Sequence, residues 1–202
     1  MNLIFDFDGT ICDSFEITLK ITNEYLTRLG KKLIDAKKFR EEGIEEVLKD
    51  YKLNKLQILI YIFKGRRELS KYISKLMTFD NLPVVLRKLS KKNTLGIVSS
   101  NSKKNIEQFL KLNNIDDIFK FIVSSPTIFE KSKKIKKAMI KYKFERNETI
   151  YIGDEIRDIQ AAKNLNIASV AVTWGFADEK LLKAHQPDFL IRSPIELLKR
   201  IK

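Results

Sequence analysis

The stretch Asp6-Phe7-Asp8-Gly9-Thr10 decides the fold prediction, because it places two acidic residues directly after the apolar run Leu3-Ile4-Phe5. The apolar run predicts a buried β-strand, and the Gly-Thr pair predicts a turn. Side chains two positions apart on a strand point the same way, so we expect Asp6 and Asp8 to project together from its carboxyl end. Two neighbouring carboxylates in a core are unfavourable unless a cation, a shared proton or a reaction compensates them.

The composition of the chain limits the classes of protein to consider. A length of 202 residues allows one core with an insertion. A net charge of +13, from 39 Lys and Arg against 26 Asp and Glu, fits either a nucleic-acid binder or an enzyme with anionic substrates. The lysines are scattered along nearly every segment, without a block of arginines and aromatics, which favours a solvated surface. We therefore expect no dedicated nucleic-acid binding.

The cysteine content and the hydropathy indicate a cytoplasmic protein. The single cysteine, Cys12, excludes an internal disulfide framework and fits a reducing compartment. No apolar run approaches the roughly 20 residues of a membrane span. The first strand begins almost at Met1, which leaves no room for a signal peptide. We expect Cys12 to pack in the core and His185 to lie near the surface.

The segment of residues 14–80 is predicted to be helical. Apolar residues at four-residue steps (Ile17, Ile21, Tyr25, Leu29) mark one helix, which Gly30 ends. Shorter helices are predicted over residues 35–40 and 44–51. Asn54 is expected to cap a longer helix. Its apolar face is predicted to comprise Leu56, Leu59, Phe63, Leu69, Ile73 and Leu76.

The remaining sequence alternates between strands and helices. Strands are predicted at 94–98, 121–123, 149–152, 168–172 and 189–191, and helices at 82–89, 102–112, 133–142, 156–164 and from about 194. This alternation predicts an α/β fold, a Rossmann-like three-layer α/β/α arrangement with a parallel sheet. We expect a core domain of residues 1–13 and 81–202, and an inserted helical cap domain of residues 14–80.

Polar residues lie at the predicted carboxyl ends of several strands. Asp6 and Asp8 follow the first strand, Ser99 follows the second, and Asp154 follows the strand at 149–152. Lys131 is expected in the loop just before the helix at 133–142. Ligands of open parallel sheets bind outside the carboxyl ends of the strands, so these residues predict a site at that edge.

At these positions the chain resembles a haloacid-dehalogenase-superfamily phosphohydrolase, closest to the phosphoglycolate-phosphatase-like branch with a helical cap. Asp6-x-Asp8-Gly9-Thr10 matches the first family motif, Ser99 the second and Lys131 the third. Gly153-Asp154-x-x-x-Asp158 matches the fourth. The motifs occur in family order across nearly the whole length. The third differs from the usual pattern, with Ser132-Lys133 in place of a Pro-rich turn, so Lys133 is an alternative to Lys131.

The resemblance implies a Mg²⁺-dependent phosphatase. Asp6 would attack phosphorus and form an aspartyl-phosphate, and Asp8 would protonate the leaving alcohol and then activate water. Ser99 and Lys131 would bind the phosphoryl oxygens. The implied metal site comprises Asp6, Asp8 through its backbone carbonyl, Asp154 and Asp158, and Asp158 either orients a metal-bound water or holds Lys131.

Further residues are assigned to substrate binding. These are Gly9, Thr10, Ser100 and Asn101 beside the strand ends, and Arg66 and Arg67 in the cap. The two arginines follow a mid-helix glycine and either reach an anionic substrate group or belong to a solvated helix face. If they reach the site, a carboxylate-bearing phosphoester such as phosphoglycolate would fit. The expected partner is a small phosphorylated metabolite, and the oligomeric state, monomer or dimer, is left open.

Three alternatives are weighed against this function. A phosphomutase of the β-phosphoglucomutase kind shares the core motifs but has a cap histidine, which this chain lacks. A dehalogenase would need neither Asp8 nor magnesium. A nucleotide- or nucleic-acid-binding or end-processing protein would use the net charge of +13. Asn166 replaces the glycine that relatives carry, and we expect it to adopt a left-handed backbone.

Overall fold

The computed structural model of the protein describes residues 1–125 and 130–201. Within these residues, six strands form one parallel sheet in the order β3-β2-β1-β4-β5-β6. The strands are β1 (Asn2–Phe5), β2 (Thr94–Ser99), β3 (Phe119–Ser124), β4 (Thr149–Gly153), β5 (Ala168–Val172) and β6 (Phe189–Ile191). The strand order reverses direction at β1, so the carboxyl ends of β1 and β4 flank the crevice where such sheets bind ligands.

The side chains of β1 alternate between the two faces of the sheet. Leu3 and Phe5 pack into one apolar cluster and Ile4 into another, and none of the three is more than 1% exposed. Both faces of β1 are therefore covered, as is typical of a central strand in a parallel sheet. This explains why the sequence of β1 is uniformly apolar until Asp6.

Helices cover both faces of the sheet. The helices of the fold are α1 (Phe15–Arg28), α2 (Ala36–Asp50), α3 (Lys55–Ser70), α4 (Leu82–Ser90), α5 (Lys103–Leu112), α6 (Lys131–Tyr142), α7 (Ile156–Leu165), α8 (Glu179–Ala184) and α9 (Pro194–Arg200). Apolar residues of α4, α5 and α9 join the cluster of Leu3 and Phe5, whereas those of α6 and α7 join the cluster of Ile4. The predicted three-layer α/β/α fold is confirmed.

Helices α1, α2 and α3 lie between β1 and α4 and share an apolar cluster. Phe15, Phe39 and Tyr61 belong to it, and Phe176 from the loop after β5 joins them. We call α1–α3 the helical insertion. Its status as a cap domain of residues 14–80, separate from a core of residues 1–13 and 81–202, stays a prediction.

The residues predicted to end α1 and to cap α3 lie at these positions in the structure. Gly30 has a φ of 65° just after α1. Asn54 caps α3 through a reciprocal capping box with Gln57, in which both hydrogen bonds are 2.9 Å long. The two short helices predicted between residues 35 and 51 form one element, and Gly43 interrupts it with a φ of 75° and a ψ of 161°.

The predicted apolar face of α3 is wrong at three of its positions, although Leu69 is buried as predicted. Leu56, Leu59 and Phe63 are 65%, 44% and 59% exposed, whereas Ile58, Tyr61 and Ile62 are buried. Apolar residues follow one another along this helix, so the spacing fits two faces and tertiary packing decides between them. Ile73 and Leu76 are buried, but they lie beyond the end of the helix.

Helix α6 begins at Lys131, not at residue 133. Lys131, which was expected in the loop before this helix, is 6% exposed, and Lys134 within the helix is 7% exposed. Helix α8 was not predicted. Asn166 ends α7 in the left-handed conformation, with a φ of 52°, as expected for the residue at the glycine position.

Two further expectations concern the core and the membrane. Cys12 is fully buried and packs in the apolar cluster of Leu3 and Phe5, as predicted. Over residues 1–125 and 130–201, no helix has both the length and the apolar character to cross a membrane.

Candidate active site

Asp6 extends β1 at the carboxyl edge of the sheet and is 2% exposed. Its backbone N–H donates to the Ile152 carbonyl at 2.8 Å, which continues the pairing with β4. Its Oδ1 accepts the Phe7 N–H at 2.8 Å, and its Oδ2 accepts a hydrogen bond from Lys131 Nζ at 2.5 Å. Backbone and ammonium donors thus fix the carboxylate at the crevice.

Gly9 and Thr10 lie against the Asp154 carboxylate. Gly9 has a φ of 74°, and a Cβ there would lie 2.1 Å from Asp154 Oδ2, so no larger residue fits. Thr10 Oγ1 donates to Asp154 Oδ1 at 2.6 Å. Thr10 therefore orients Asp154, and the lack of a side chain at Gly9 leaves room for the Asp154 carboxylate, whereas the sequence assigned both residues to substrate binding.

Asp8 lines a cavity together with Ser100 and Asn101. Its carboxylate accepts hydrogen bonds from Ser14 Oγ at 3.0 Å and from Asn101 Nδ2 at 3.1 and 3.0 Å. Burial, together with the charge of Asp6, raises the pKa of Asp8 to about 6, although the hydrogen bonds from Ser14 and Asn101 oppose this shift. A carboxyl group with such a pKa can exchange protons near neutral pH.

Lys131 connects two of the predicted carboxylates. Its ammonium group contacts both Asp6 and Asp158. Burial alone would lower the pKa of Lys131, but the charges of Asp158 and Asp6 outweigh burial and raise it, so the side chain is cationic. The alternative, Lys133, is 74% exposed and pairs with Glu130. The structure therefore places Lys131 at the site and Lys133 outside it.

Asp158, on the first turn of α7, is surrounded by donors. Its Oδ2 accepts the N–H groups of Asp154 and Glu155 at 3.1 and 2.9 Å, and its Oδ1 accepts Lys131. Burial raises its pKa to about 6 despite the charge of Lys131. These contacts suit the predicted role of holding Lys131 better than the role of a direct metal ligand.

Asp6, Asp154 and Asp158 form an acidic cluster whose ligand oxygens lie within 4.8 Å of one another. Asp154 is fully buried, and burial with the neighbouring charges of Glu155, Asp158 and Asp6 raises its pKa well above its usual range. A hard cation with oxygen ligands would relieve this excess of negative charge. The donor set therefore fits Mg²⁺, with Asp6 and Asp154 as the carboxylates best placed to bind it.

The end of β2 supplies the second predicted motif. Ser99 is 1% exposed, and its Oγ accepts the Asn101 N–H at 3.0 Å. The carbonyl groups of Ser100 and Asn101 accept hydrogen bonds from Arg66, through its Nε and Nη2 atoms. Asn101 contacts Asp8, so it links the ends of β1 and β2.

The two arginines of α3 differ in position. Arg66 is half-buried and lines a cavity of about 100 Å³ beside Asp8, Ser100 and Asn101. Arg67 is exposed and does not line this cavity. The structure thus brings Arg66 to the site and leaves Arg67 on the outer surface.

Sequence reasoning missed Glu155 and Arg157. Both line the same cavity, and Arg157 Nη2 donates to Glu155 Oε1 at 2.5 Å. Arg157 is the second residue of α7, close to the positive end of the helix dipole. A cation is unfavourable at that end of a helix. The arginine between Asp154 and Asp158 was therefore a signal in the sequence that could have indicated a functional residue.

Comparison with known proteins supports the interpretation of this geometry. The family model described as "haloacid dehalogenase-like hydrolase" matches residues 3–172. The chain is 31% identical to the phosphoglycolate phosphatase of Synechococcus elongatus, over 98% of this chain and 96% of that protein. It is 28% identical to a putative pyrophosphatase PpaX of Caldanaerobacter subterraneus, over 99% of this chain and 94% of that protein.

Solved structures show the same fold. A haloacid dehalogenase-like hydrolase from Streptococcus pneumoniae superposes with a TM-score of 0.82 at 27% identity, over 100% of this chain and 98% of that chain. A putative phosphoglycolate phosphatase from Lactobacillus plantarum gives a TM-score of 0.83 at 18% identity, over 98% and 97%. The chain belongs to the haloacid dehalogenase-like hydrolase family, and the expectation of a phosphatase of this family is confirmed.

Proposed function

We propose that the protein is a Mg²⁺-dependent phosphatase that hydrolyses a small phosphate monoester through an aspartyl-phosphate on Asp6. The observation behind this proposal is the convergence of Asp6, Asp8, Lys131 and Asp154 at the carboxyl ends of β1 and β4. Their arrangement combines a nucleophile, a proton carrier, the positive charge of Lys131 and a carboxylate, Asp154, that would bind Mg²⁺; together these meet the requirements of phosphoryl transfer.

The first step forms a bond between a carboxylate oxygen of Asp6 and phosphorus while the bond from phosphorus to the ester oxygen breaks. Asp8, protonated at the start, gives its proton to the departing alkoxide. Lys131 lies against Asp6 and offers its charge to the phosphoryl oxygens. Mg²⁺ held by Asp6 and Asp154 would supply charge neutralisation and an electrophilic environment for the phosphoryl group.

The second step returns the enzyme to its starting state. Asp8, now a carboxylate, removes a proton from water, and the resulting hydroxide attacks phosphorus and releases Asp6 as a carboxylate. Asn101 donates to both oxygens of Asp8 and can hold its carboxylate in place during both steps. Each proton that Asp8 gives in the first step is recovered in the second, so the cycle balances.

The substrate we favour is phosphoglycolate. The relative at 31% identity over nearly the whole chain is a phosphoglycolate phosphatase, and a cavity of about 100 Å³ beside Asp8 suits a short organic group. Pyrophosphate is the second candidate, because the chain is 28% identical to a putative pyrophosphatase. We place the reaction in the cytoplasm, with a small phosphorylated metabolite as the partner.

The test is phosphate release from phosphoglycolate, pyrophosphate and sugar phosphates, with and without Mg²⁺. We expect hydrolysis that needs the metal, and loss of at least about 10³-fold in kcat for Asp6→Asn, which removes the nucleophile. Asp13→Asn is the matched control, because Asp13 is exposed. Brief reaction and acid quenching should leave a phosphoryl group on Asp6, detectable by mass spectrometry. Turnover by Asp6→Asn at the wild-type rate would overturn the mechanism.

A further inference from the structure

Arg157 is a buried arginine whose side chain is only partly engaged by the protein. The side chain is 10% exposed, and its Nη2 pairs with Glu155, which is 5% exposed. Its Nε and Nη1 atoms are buried and have no hydrogen-bond partner among residues 1–125 and 130–201. These two atoms carry three of the five N–H groups of a guanidinium.

Unpartnered N–H groups in a buried site are unfavourable, because folding removes their hydrogen bonds to water. The arginine nevertheless stays charged, since the carboxylates of Glu155, Asp6 and Asp158 raise its pKa well above the usual range against the effect of burial. A buried cation with free donors is suited to an anion that binds during the reaction.

The position of Arg157 identifies where such an anion would lie. Arg157 lines the cavity of about 100 Å³ next to Asp8, Ser100 and Asn101. Arg66 lines the same cavity, but its Nε and Nη2 atoms already donate to the Ser100 and Asn101 carbonyls. Of these two arginines, Arg157 is the one with buried donors that lack partners within the part of the chain that the structure describes.

We propose that Arg157 binds a second anionic group of the substrate, next to the phosphoryl group that Asp6 attacks, and so determines substrate specificity. This inference rests on the proposed phosphatase function. The shared chemistry is a small oxyanion, either a carboxylate or a second phosphoryl group. The cavity of about 100 Å³ has room for a carboxylate on a short chain.

The test compares three substrates that differ in the anionic group next to the phosphoryl group that Asp6 attacks. Phosphoglycolate carries a carboxylate, pyrophosphate carries a second phosphoryl group, and ethyl phosphate carries neither. For Arg157→Gln we expect kcat/KM to fall about 100-fold for phosphoglycolate or pyrophosphate, whichever the enzyme prefers, mainly through a higher KM. For ethyl phosphate, kcat/KM should change less than about threefold. Arg146→Gln is the matched control, because Arg146 is exposed.

A second, more conservative variant tests the inference if Arg157→Gln does not fold. Arg157→Gln leaves Glu155 as a buried carboxylate without its partner, whereas Arg157→Lys keeps the charge and loses the planar set of donors. We expect Arg157→Lys to fold and to lose about tenfold in kcat/KM for the anionic substrate alone. Equal losses on all three substrates would assign Arg157 a purely charge-balancing role, and no loss on any would show that Arg157 does not bind the substrate; either result would overturn the inference.

Binding provides a readout that does not require turnover. Calorimetry would measure phosphoglycolate, pyrophosphate and ethyl phosphate on Asp6→Asn and on the double variant Asp6→Asn/Arg157→Gln. We expect phosphoglycolate or pyrophosphate to bind more tightly than ethyl phosphate to the single variant. This difference in affinity should disappear in the double variant. Equal affinities in the single variant contradict the inference. Absence of hydrolysis by the wild type contradicts instead the proposed function, so the two failures are distinguishable.

Discussion

The ammonium nitrogen of Lys131 lies 2.5 Å from Oδ2 of Asp6, and the two side chains are 6% and 2% exposed. Lys131 is the first residue of α6, and Asp6 directly follows β1. The two residues are far apart in sequence. The same ammonium group contacts Asp158. A cation shared by two buried carboxylates is fixed in place, so it offers positive charge at the proposed nucleophile without reorganisation.

Replacement of Lys131 by methionine is predicted to lower kcat about 10²- to 10³-fold, because the phosphoryl oxygens lose a preorganised charge. Lys133→Met is the matched control: Lys133 lies two residues away, is 74% exposed and pairs with Glu130. Phosphate release under saturating substrate measures the effect, and circular dichroism checks the fold. Similar kcat values for the two variants would show that Lys131 does not act on the phosphoryl group.

Asp154 is predicted to be required for metal binding. At a Mg²⁺ concentration 100 times its Kd, we expect the wild type to gain about 2.7 kcal/mol of unfolding free energy, a rise in Tm of roughly 5–10 °C. Asp154→Asn should lose this rise. Its Tm without metal should equal or exceed that of the wild type, because a buried and uncompensated carboxylate is replaced by a neutral side chain.

The control for this measurement is Asp13→Asn, which changes an exposed carboxylate between β1 and α1. Its Tm should rise with Mg²⁺ as in the wild type. A rise of the same size in Asp154→Asn would place the metal elsewhere.

The pKa of Asp8, raised to about 6 by burial and by Asp6, predicts how the rate depends on pH. In the proposed mechanism protonated Asp8 acts as the acid, and the fraction of this form falls as the pH rises through 6. For an alkyl phosphate, kcat/KM should therefore fall about tenfold for each pH unit well above 6, if metal binding is kept saturated.

An aryl phosphate is the matched substrate for this prediction, because its phenolate is a better leaving group and needs less proton donation. Its kcat/KM should depend less steeply on pH over the same range. Parallel profiles for the alkyl and aryl substrates would indicate that another group, not Asp8 as the acid, titrates.

The sequence predicted the sheet and the residues at its edge well, because both depend on local signals. The apolar run before Asp6 and the run before Gly153-Asp154 mark strand ends, and parallel strands bring their carboxyl ends together. The face of α3 could not be predicted in the same way, since Leu59 and Ile62 are both apolar and their burial depends on what packs against the helix.

The partners of buried charges are also hard to predict from sequence. The sequence shows Arg157 as a cation in the first turn of a helix, but it does not show that the side chain is buried and lines a cavity. Likewise, the contacts of Thr10 with Asp154 join residues 144 positions apart. Such contacts are set by tertiary packing, which no local pattern encodes.

Arg66 and Asn105 connect the helical insertion to the sheet. Arg66 donates to the Ser100 and Asn101 carbonyls, and Asn105 Nδ2 donates to the Arg66 carbonyl at 3.0 Å. Hydrogen bonds to a charged group stabilise by about 1.5–3 kcal/mol, so the loss of this contact should shift the insertion away from the site. Arg66→Gln is predicted to lower kcat/KM by roughly 10- to 100-fold and to speed amide exchange in α3.

The control for this prediction is the adjacent arginine. Arg67 is exposed and lies outside the cavity, so Arg67→Gln should keep kcat/KM within about twofold of the wild type and leave exchange in α3 unchanged. Kinetics and hydrogen exchange on the same samples separate two explanations. A loss of activity in Arg66→Gln with unaltered exchange would mean that Arg66 touches the substrate, whereas a loss accompanied by faster exchange follows from its contact with Ser100 and Asn101.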